Sequence, residues 1–154
     1  MRGPNRRQVL AAIVLAPIVS GGIGATAGCG LFEDGAPDPL VPLAAQARAD
    51  AALADAVAAD VAAGASTAQV REIVAARTAH ADALDAEITR RSGGAAPAAP
   101  AAPPAGAVTL VALRTALTGA GQDAARVVLD LPADRVGLVA SVAACCSAHA
   151  AVLA

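Results

Sequence analysis

Residues 66–91, STAQVREIVAARTAHADALDAEITRR, decide how this chain folds. Val70, Ile73, Val74, Ala81, Leu84 and Ile88 recur at spacings of three and four, which places them on one stripe of an α-helix. Ser66-x-x-Gln69 has the form of a capping box, in which a hydroxyl and a side-chain amide satisfy free backbone N–H groups at a helix start. At the other end, Arg90 and Arg91 suit the negative end of the helix dipole, and Gly93-Gly94 stops it. The segment reads as a helix from Thr67 to about Arg91.

The same punctuation repeats outward. Asp38-Pro39 supplies a capping acid and a first-turn proline, and predicts a helix from Leu40 to Ala63 closed by Gly64. C-terminal to helix 2, residues 93–107 form a linker whose AAPAAPAAPPAGA run, 95–107, is too rich in proline to be helical. In an extended polyproline conformation those residues reach ~40 Å at ~3.1 Å each, against ~36 Å for helix 1. The linker can therefore return the chain along the whole length of the first pair. Helix 3 is predicted over about 109–129, with Leu110, Leu113, Leu117, Ala124, Val128 and Leu131 on one stripe, and Gly119 and Gly121 as places of kinking or close approach. After Leu131-Pro132, helix 4 runs over 133–153, with Leu138, Val142, Cys145, Cys146, His149 and Leu153 inward. The expected fold is all-α, a four-helix bundle over 39–154 that is ferritin-like in having a long Pro/Ala crossover between helices 2 and 3.

Composition agrees with that reading. Of 154 residues, 56% are apolar and 1% aromatic, with no Trp or Tyr, and alanine, the best helix former, dominates the apolar fraction. Alanine buries little area, so the core is thin at ~25 cal/mol per Å². All 11 basic residues are arginine, and three of them fall in the first 28 residues. The remainder is acidic, which with the lack of aromatic stacking residues excludes nucleic-acid binding.

Residues 1–28 have the form of a twin-arginine signal peptide. Arg6 and Arg7 precede Gln8, Val9 and Leu10, and the apolar run to Ile23 is broken by Pro17, Ser20, Gly21 and Gly22, which suits a cleaved leader better than a retained span. Two cleavage signals overlap in GATAGCG, 24–30. Ala25-Thr26-Ala27 would release a soluble, secreted chain, whereas Thr26-Ala27-Gly28-Cys29 is a lipobox in which Cys29 receives a lipid. Residues 29–38 then form a flexible tether. The expectation is an exported protein on the outer face of the cell membrane, with lipidated Cys29 as its membrane contact and a helical protein or a second copy as its further partner.

The twin-arginine leader, Cys29, DPLVPLAAQARADAALADAV (38–57), AARTAHADALDAEI (75–88) and the closing DRVGLVASVAACCSAHAAVL (134–153) together resemble alanine-rich exported proteins of actinobacteria that carry a ferritin-like domain of unknown function. The resemblance implies a fold and a compartment, and no reaction.

Three of the four stripes carry polar interruptions: Gln46 and Asp50 on helix 1, Arg77 and His80 on helix 2, His149 on helix 4. Antiparallel pairing about a turn near Ala65 sets Asp50 opposite Arg77 and His80, and the crossover brings His149 to the same height. A mid-bundle polar layer of Asp50, Arg77, His80 and His149 follows, read first as a structural ion pair that fixes helix register. The alternative is a metal- or small-ligand-binding layer, in which Cys146-x-x-His149 with His80 is the nearest approach to a metal site. No cofactor is expected. A di-iron centre needs two Glu and two Glu-x-x-His motifs, but Arg77 and Cys146 stand three residues before the two histidines. Ser147 and His149 face different ways on one helix, no phosphate-binding loop is present, and no catalytic residue is assigned.

Overall fold

The computed structural model describes residues 37–60, 67–94 and 106–154. The leader with Arg6 and Arg7, the lipobox with Cys29, most of the tether, the Ser66 half of the capping box and linker residues 95–105 lie outside the described residues. Four helices form: α1 (Leu40–Ala59), α2 (Thr67–Ser92), α3 (Leu110–Val128) and α4 (Ala133–Val152), with no strand among the described residues.

Local chemistry sets their ends. Asp38 Oδ1 accepts from the Leu40 N–H at 2.9 Å and its carbonyl accepts from Val41 at 3.0 Å, so the acid before Pro39 caps α1. Helix α1 ends at Ala59, four residues short of the Ala63 expected from sequence. Asp60 is already extended (φ −84°, ψ 107°), and its N–H turns back to the Val57 carbonyl. Val57 is the last inward residue, and carboxylates at a helix C-terminus oppose the dipole. At the end of α2, Gly93 adopts φ +67° and donates to Thr89 O at 3.1 Å, a left-handed C-cap that glycine enters without strain. The Thr109 hydroxyl accepts from Ala112 N–H at 3.1 Å and starts α3.

Helix α1 packs along α2 and α3 along α4; the hairpins join chiefly through α1 and α3, and α2 meets α4 over a thinner seam. Two apolar clusters fill the interior. The first gathers Leu40 and Leu43 from the start of α1, Leu84 and Ile88 from the end of α2, Ala120 and Ala124 from the end of α3, and Val139 and Val142 from the start of α4. The second gathers Val57, Val70, Ile73, Leu113, Leu117 and Ala150 from the opposite helix ends. The chain directions follow from these memberships: α2 and α3 run one way, α1 and α4 the other.

Helix α4 is rotated relative to the stripe expected from sequence, whereas on α3 Leu113, Leu117 and Ala124 are buried as expected. On α4 the buried residues are Arg135, Val139, Val142, Cys146 and Ala150, whereas Leu138, Cys145, His149 and Leu153 are half-buried at the flanks. On α3, Ala120 and Gly121 are buried, while Leu110, Val128 and Leu131 sit at the margin. The cause is the close approach at Gly121. A Cβ there would lie 3.1 Å from Ser147 Oγ and 3.4 Å from both the Ala143 carbonyl and Cys146 Cβ. Small residues meet at the centre of this pair, and the longer aliphatics cover its edges. Gly119 faces open space, so the close approach belongs to Gly121 alone. Helix α4 is long and apolar enough to cross a membrane by length and composition, but half of its apolar residues are alanine and the helix carries the buried Arg135.

Candidate functional site

Between the two apolar clusters lies a buried polar group centred on Arg77. Asp50 on α1 and Arg77 on α2 are each 1% exposed. Arg77 Nη2 donates to Asp50 Oδ2 at 2.9 Å, and the second carboxylate oxygen accepts from the Gln46 amide at 2.6 Å. The other terminal nitrogen, Nη1, lies 3.1 Å from His80 Nδ1 and 3.1 Å from Cys146 Sγ on α4. One guanidinium thus ties three helices together. Its Nε has no partner among the described residues, so the fork is satisfied only at its terminal nitrogens.

The helical spacing explains the convergence. Gln46 and Asp50 are four apart and Arg77 and His80 three apart, so each pair shares a face, and α1 and α2 pair antiparallel with those faces inward. An isolated buried charge costs many kcal/mol, but an arginine keeps its proton and a carboxylate beside it supplies the counter-charge.

The protonation states follow from these contacts. Burial pushes the Asp50 carboxyl above its ordinary value, against the opposing pull of the Arg77 charge and the Gln46 and Arg77 hydrogen bonds. Burial also raises the Cys146 thiol, with Arg77 opposing it, so the sulfur serves as a weak acceptor and a poor nucleophile. His80 is held below its ordinary value, first by burial and then by the charges of Arg77 and His149. Because arginine can only donate, His80 Nδ1 must accept, and the neutral ring carries its proton on Nε2.

The structure therefore brings Asp50, Arg77 and His80 together. His149 is half-buried on α4, close enough to repel a charge on His80, but it makes no hydrogen bond to Arg77 or Asp50. Cys146 takes the α4 place in the layer that the sequence had assigned to His149, because α4 is rotated about Gly121. Cys145, expected to be buried like its neighbour, is half-buried.

The metal alternative meets a specific obstacle. The centre of Asp50, His80 and Cys146 is filled by a guanidinium, a fixed cation that repels a second one. His80 also holds the wrong tautomer, since coordination through Nε2 would move its proton to Nδ1, against the Arg77 N–H. Among the described residues no group of three or more His, Cys, Asp or Glu is arranged to hold a metal ion.

Sequence reasoning missed a second buried ion cluster at the pole where α1 begins. Arg135 on α4 is 2% exposed and donates through Nη2 to both Asp38 oxygens, at 3.0 and 2.8 Å. Its Nε lies 3.1 Å from Glu87 Oε1 on α2, within ion-pair range but off the angle a hydrogen bond needs. Arg90 holds Glu87 through both carboxylate oxygens and reaches Asp134 at 3.0 Å. The signal was present: Arg135 stands four residues before Val139 and seven before Val142, on the stripe that packs inward.

No known protein family, curated protein or solved structure matches the chain.

Proposed function

We propose that the chain is an exported bundle of structural or interaction type, lipid-anchored through Cys29 to the outer face of the cell membrane. The observation that carries the non-catalytic half of this reading is the saturation of the Arg77 layer. The buried carboxylate, thiol and one imidazole nitrogen all bind one guanidinium, which leaves no free nucleophile beside a free base there. The molecule instead presents an outward face on α3, a shallow groove lined by Val111, Arg114, Thr115, Thr118, Gly119 and Gln122. Such a face suits a helical protein or a second copy. The anchoring half rests on sequence: Arg6 and Arg7, the broken apolar run, and Cys29 followed by a short polar spacer.

The bundle is of the ferritin-like kind, with residues 93–107 as a crossover. The shared direction of α2 and α3 supports this, because a chain leaving one and entering the other in parallel must travel the length of the bundle. The placement of polar residues supports it in part: an acid from α1 and an x-x-His motif from each of α2 and α4 stand where metal-binding carboxylate bundles carry ligands, with Arg77 and Cys146 in place of two glutamates and no inward acid on α3.

Intact mass of the chain recovered from membranes tests the anchor: a diacylglyceryl-modified chain beginning at Cys29 is expected, lost in Cys29→Ala. A lipid-free chain beginning at Gly28 would refute it. Cross-linking on intact cells should recover a discrete partner or a dimer, and stoichiometric metal in the purified protein would favour ligand binding instead.

A further inference from the structure

His80 is the one member of the buried layer that changes charge near neutral pH by its ordinary chemistry. Its Nδ1 lone pair is what Arg77 Nη1 binds on that side, and Arg77 has no lone pair with which to return the favour. A proton on that nitrogen would replace a hydrogen bond by two N–H groups facing each other, on two cations. The groups around it offer little relief. On α2 the neighbour is Arg77 itself; from α1 comes Asp50, already occupied by Arg77 and Gln46; from α4 come His149, whose charge opposes a second one, and the thiols of Cys145 and Cys146. The ionisable residues of α3, namely Arg114, Asp123 and Arg126, are all exposed on its outer side. The ring also stands beside the α2–α4 seam, which is thinner than the seam between α1 and α3.

We propose that His80 makes this bundle acid-responsive: a proton on Nδ1 expels the Arg77 hydrogen bond within α2 and destabilises the layer through which Arg77 reaches α1 and α4. Folding holds the ring neutral, whereas the unfolded chain takes up a proton near the ordinary value of 6.5. Below that pH the unfolded state binds more protons than the folded one, and stability falls as pH falls, by up to about tenfold in the folding constant per pH unit. The loss ends once folded His80 is itself protonated. Asp50 works in the opposite sense, because a raised value favours the folded form on protonation, so the contribution of His80 is read as the difference between the parent and a variant at position 80.

Urea unfolding of the full chain at pH 7.5 and 5.5 tests this. For the parent chain we expect the folding constant to fall across that interval by at most about tenfold, the limit set by a folded ring that stays neutral throughout. His80→Gln keeps an acceptor for Arg77 in its amide oxygen but does not titrate, and should remove most of the fall. A variant with the same fall as the parent would overturn the proposal. Should His80→Gln fail to fold, ring-nitrogen NMR of the parent still decides: a neutral ring protonated on Nε2 at pH 7.5, titrating below 6.5, is expected. A ring protonated on Nδ1 at pH 7.5 refutes it.

Discussion

Replacing Arg77 with methionine is the sharpest test of what holds this bundle together. Methionine fills much of the same volume and leaves the apolar clusters intact, so the main loss is the cation. Asp50, 1% exposed, would then keep only the Gln46 amide and would sit as an uncompensated buried carboxylate. Removing one partner of such a pair costs about 3–5 kcal/mol. A unit of the size of Gly35–Ala154 has a total stability of roughly 6–18 kcal/mol at 0.05–0.15 kcal/mol per residue, so the variant should lose between about a sixth and about four-fifths of it. At about 3–5 °C per kcal/mol for this length, Tm should fall by roughly 10–20 °C. Urea unfolding followed by far-ultraviolet circular dichroism gives the free energy, and an unchanged m-value checks that the unfolded state is the same. The control is the double variant Asp50→Leu with Arg77→Met, which removes both charges at once. It should recover to within about 1 kcal/mol of the parent or exceed it, because apolar replacement of a whole buried pair is often neutral or better. A single variant costing under about 1 kcal/mol, or a double variant as unstable as the single, would refute the claim that the penalty lies in the stranded carboxylate.

The remaining predictions concern helix ends and the α3–α4 contact. Arg135→Met strands Asp38 and Glu87, but Glu87 keeps Arg90 and Asp38 is partly exposed, so the loss should be about 1–3 kcal/mol, with the first α1 amides exchanging faster in hydrogen-exchange measurements. Gly119→Ala meets nothing within 4 Å and should raise stability by up to about 1 kcal/mol, whereas Gly121→Leu should lower it by about 1–3 kcal/mol; equal effects would contradict the close approach. Thr109→Ala deletes the hydroxyl that accepts from Ala112 and should cost about 1 kcal/mol in thermal unfolding.

The helices were legible in this sequence because their signals are local. Asp38, Thr109 and Gly93 carry their capping chemistry within three or four residues, and the α2 stripe of Val70, Ile73, Leu84 and Ile88 is buried as its spacing requires. The Asp50–Arg77 pairing was legible too, since the small number of residues between α1 and α2 limits which residues of the two helices can face each other. The rotation of α4 was not. In a helix rich in alanine and other small residues, the few large side chains define a stripe only loosely, and the axis of closest approach is chosen by the smallest residue. Gly121 draws α4 in at Ala143, Cys146 and Ser147, which turns Arg135 inward and His149 to the edge. That choice depends on a neighbour distant in sequence, so no window of α4 alone reveals it.

A core of alanine, valine and a few leucines explains why a charge sits at its centre. Alanines on facing helices are interchangeable: sliding α1 past α2 by one turn puts Ala44 at the height of Ala47 at little cost in buried area. A large aromatic residue would penalise such a slip, but the described helices contain none. Asp50 and Arg77 supply the penalty by other means, because a slip of one turn would carry both charges ~5.4 Å apart and leave each without its partner. Cys146 extends the constraint to α4 through the same guanidinium, and Arg135 repeats it at the pole with Asp38 and Glu87. Arg77 therefore does for this bundle what a bound cation does for carboxylate bundles, joining helices at a fixed height through charge. It does so with a cation that belongs to the chain, so the layer is complete when the chain folds.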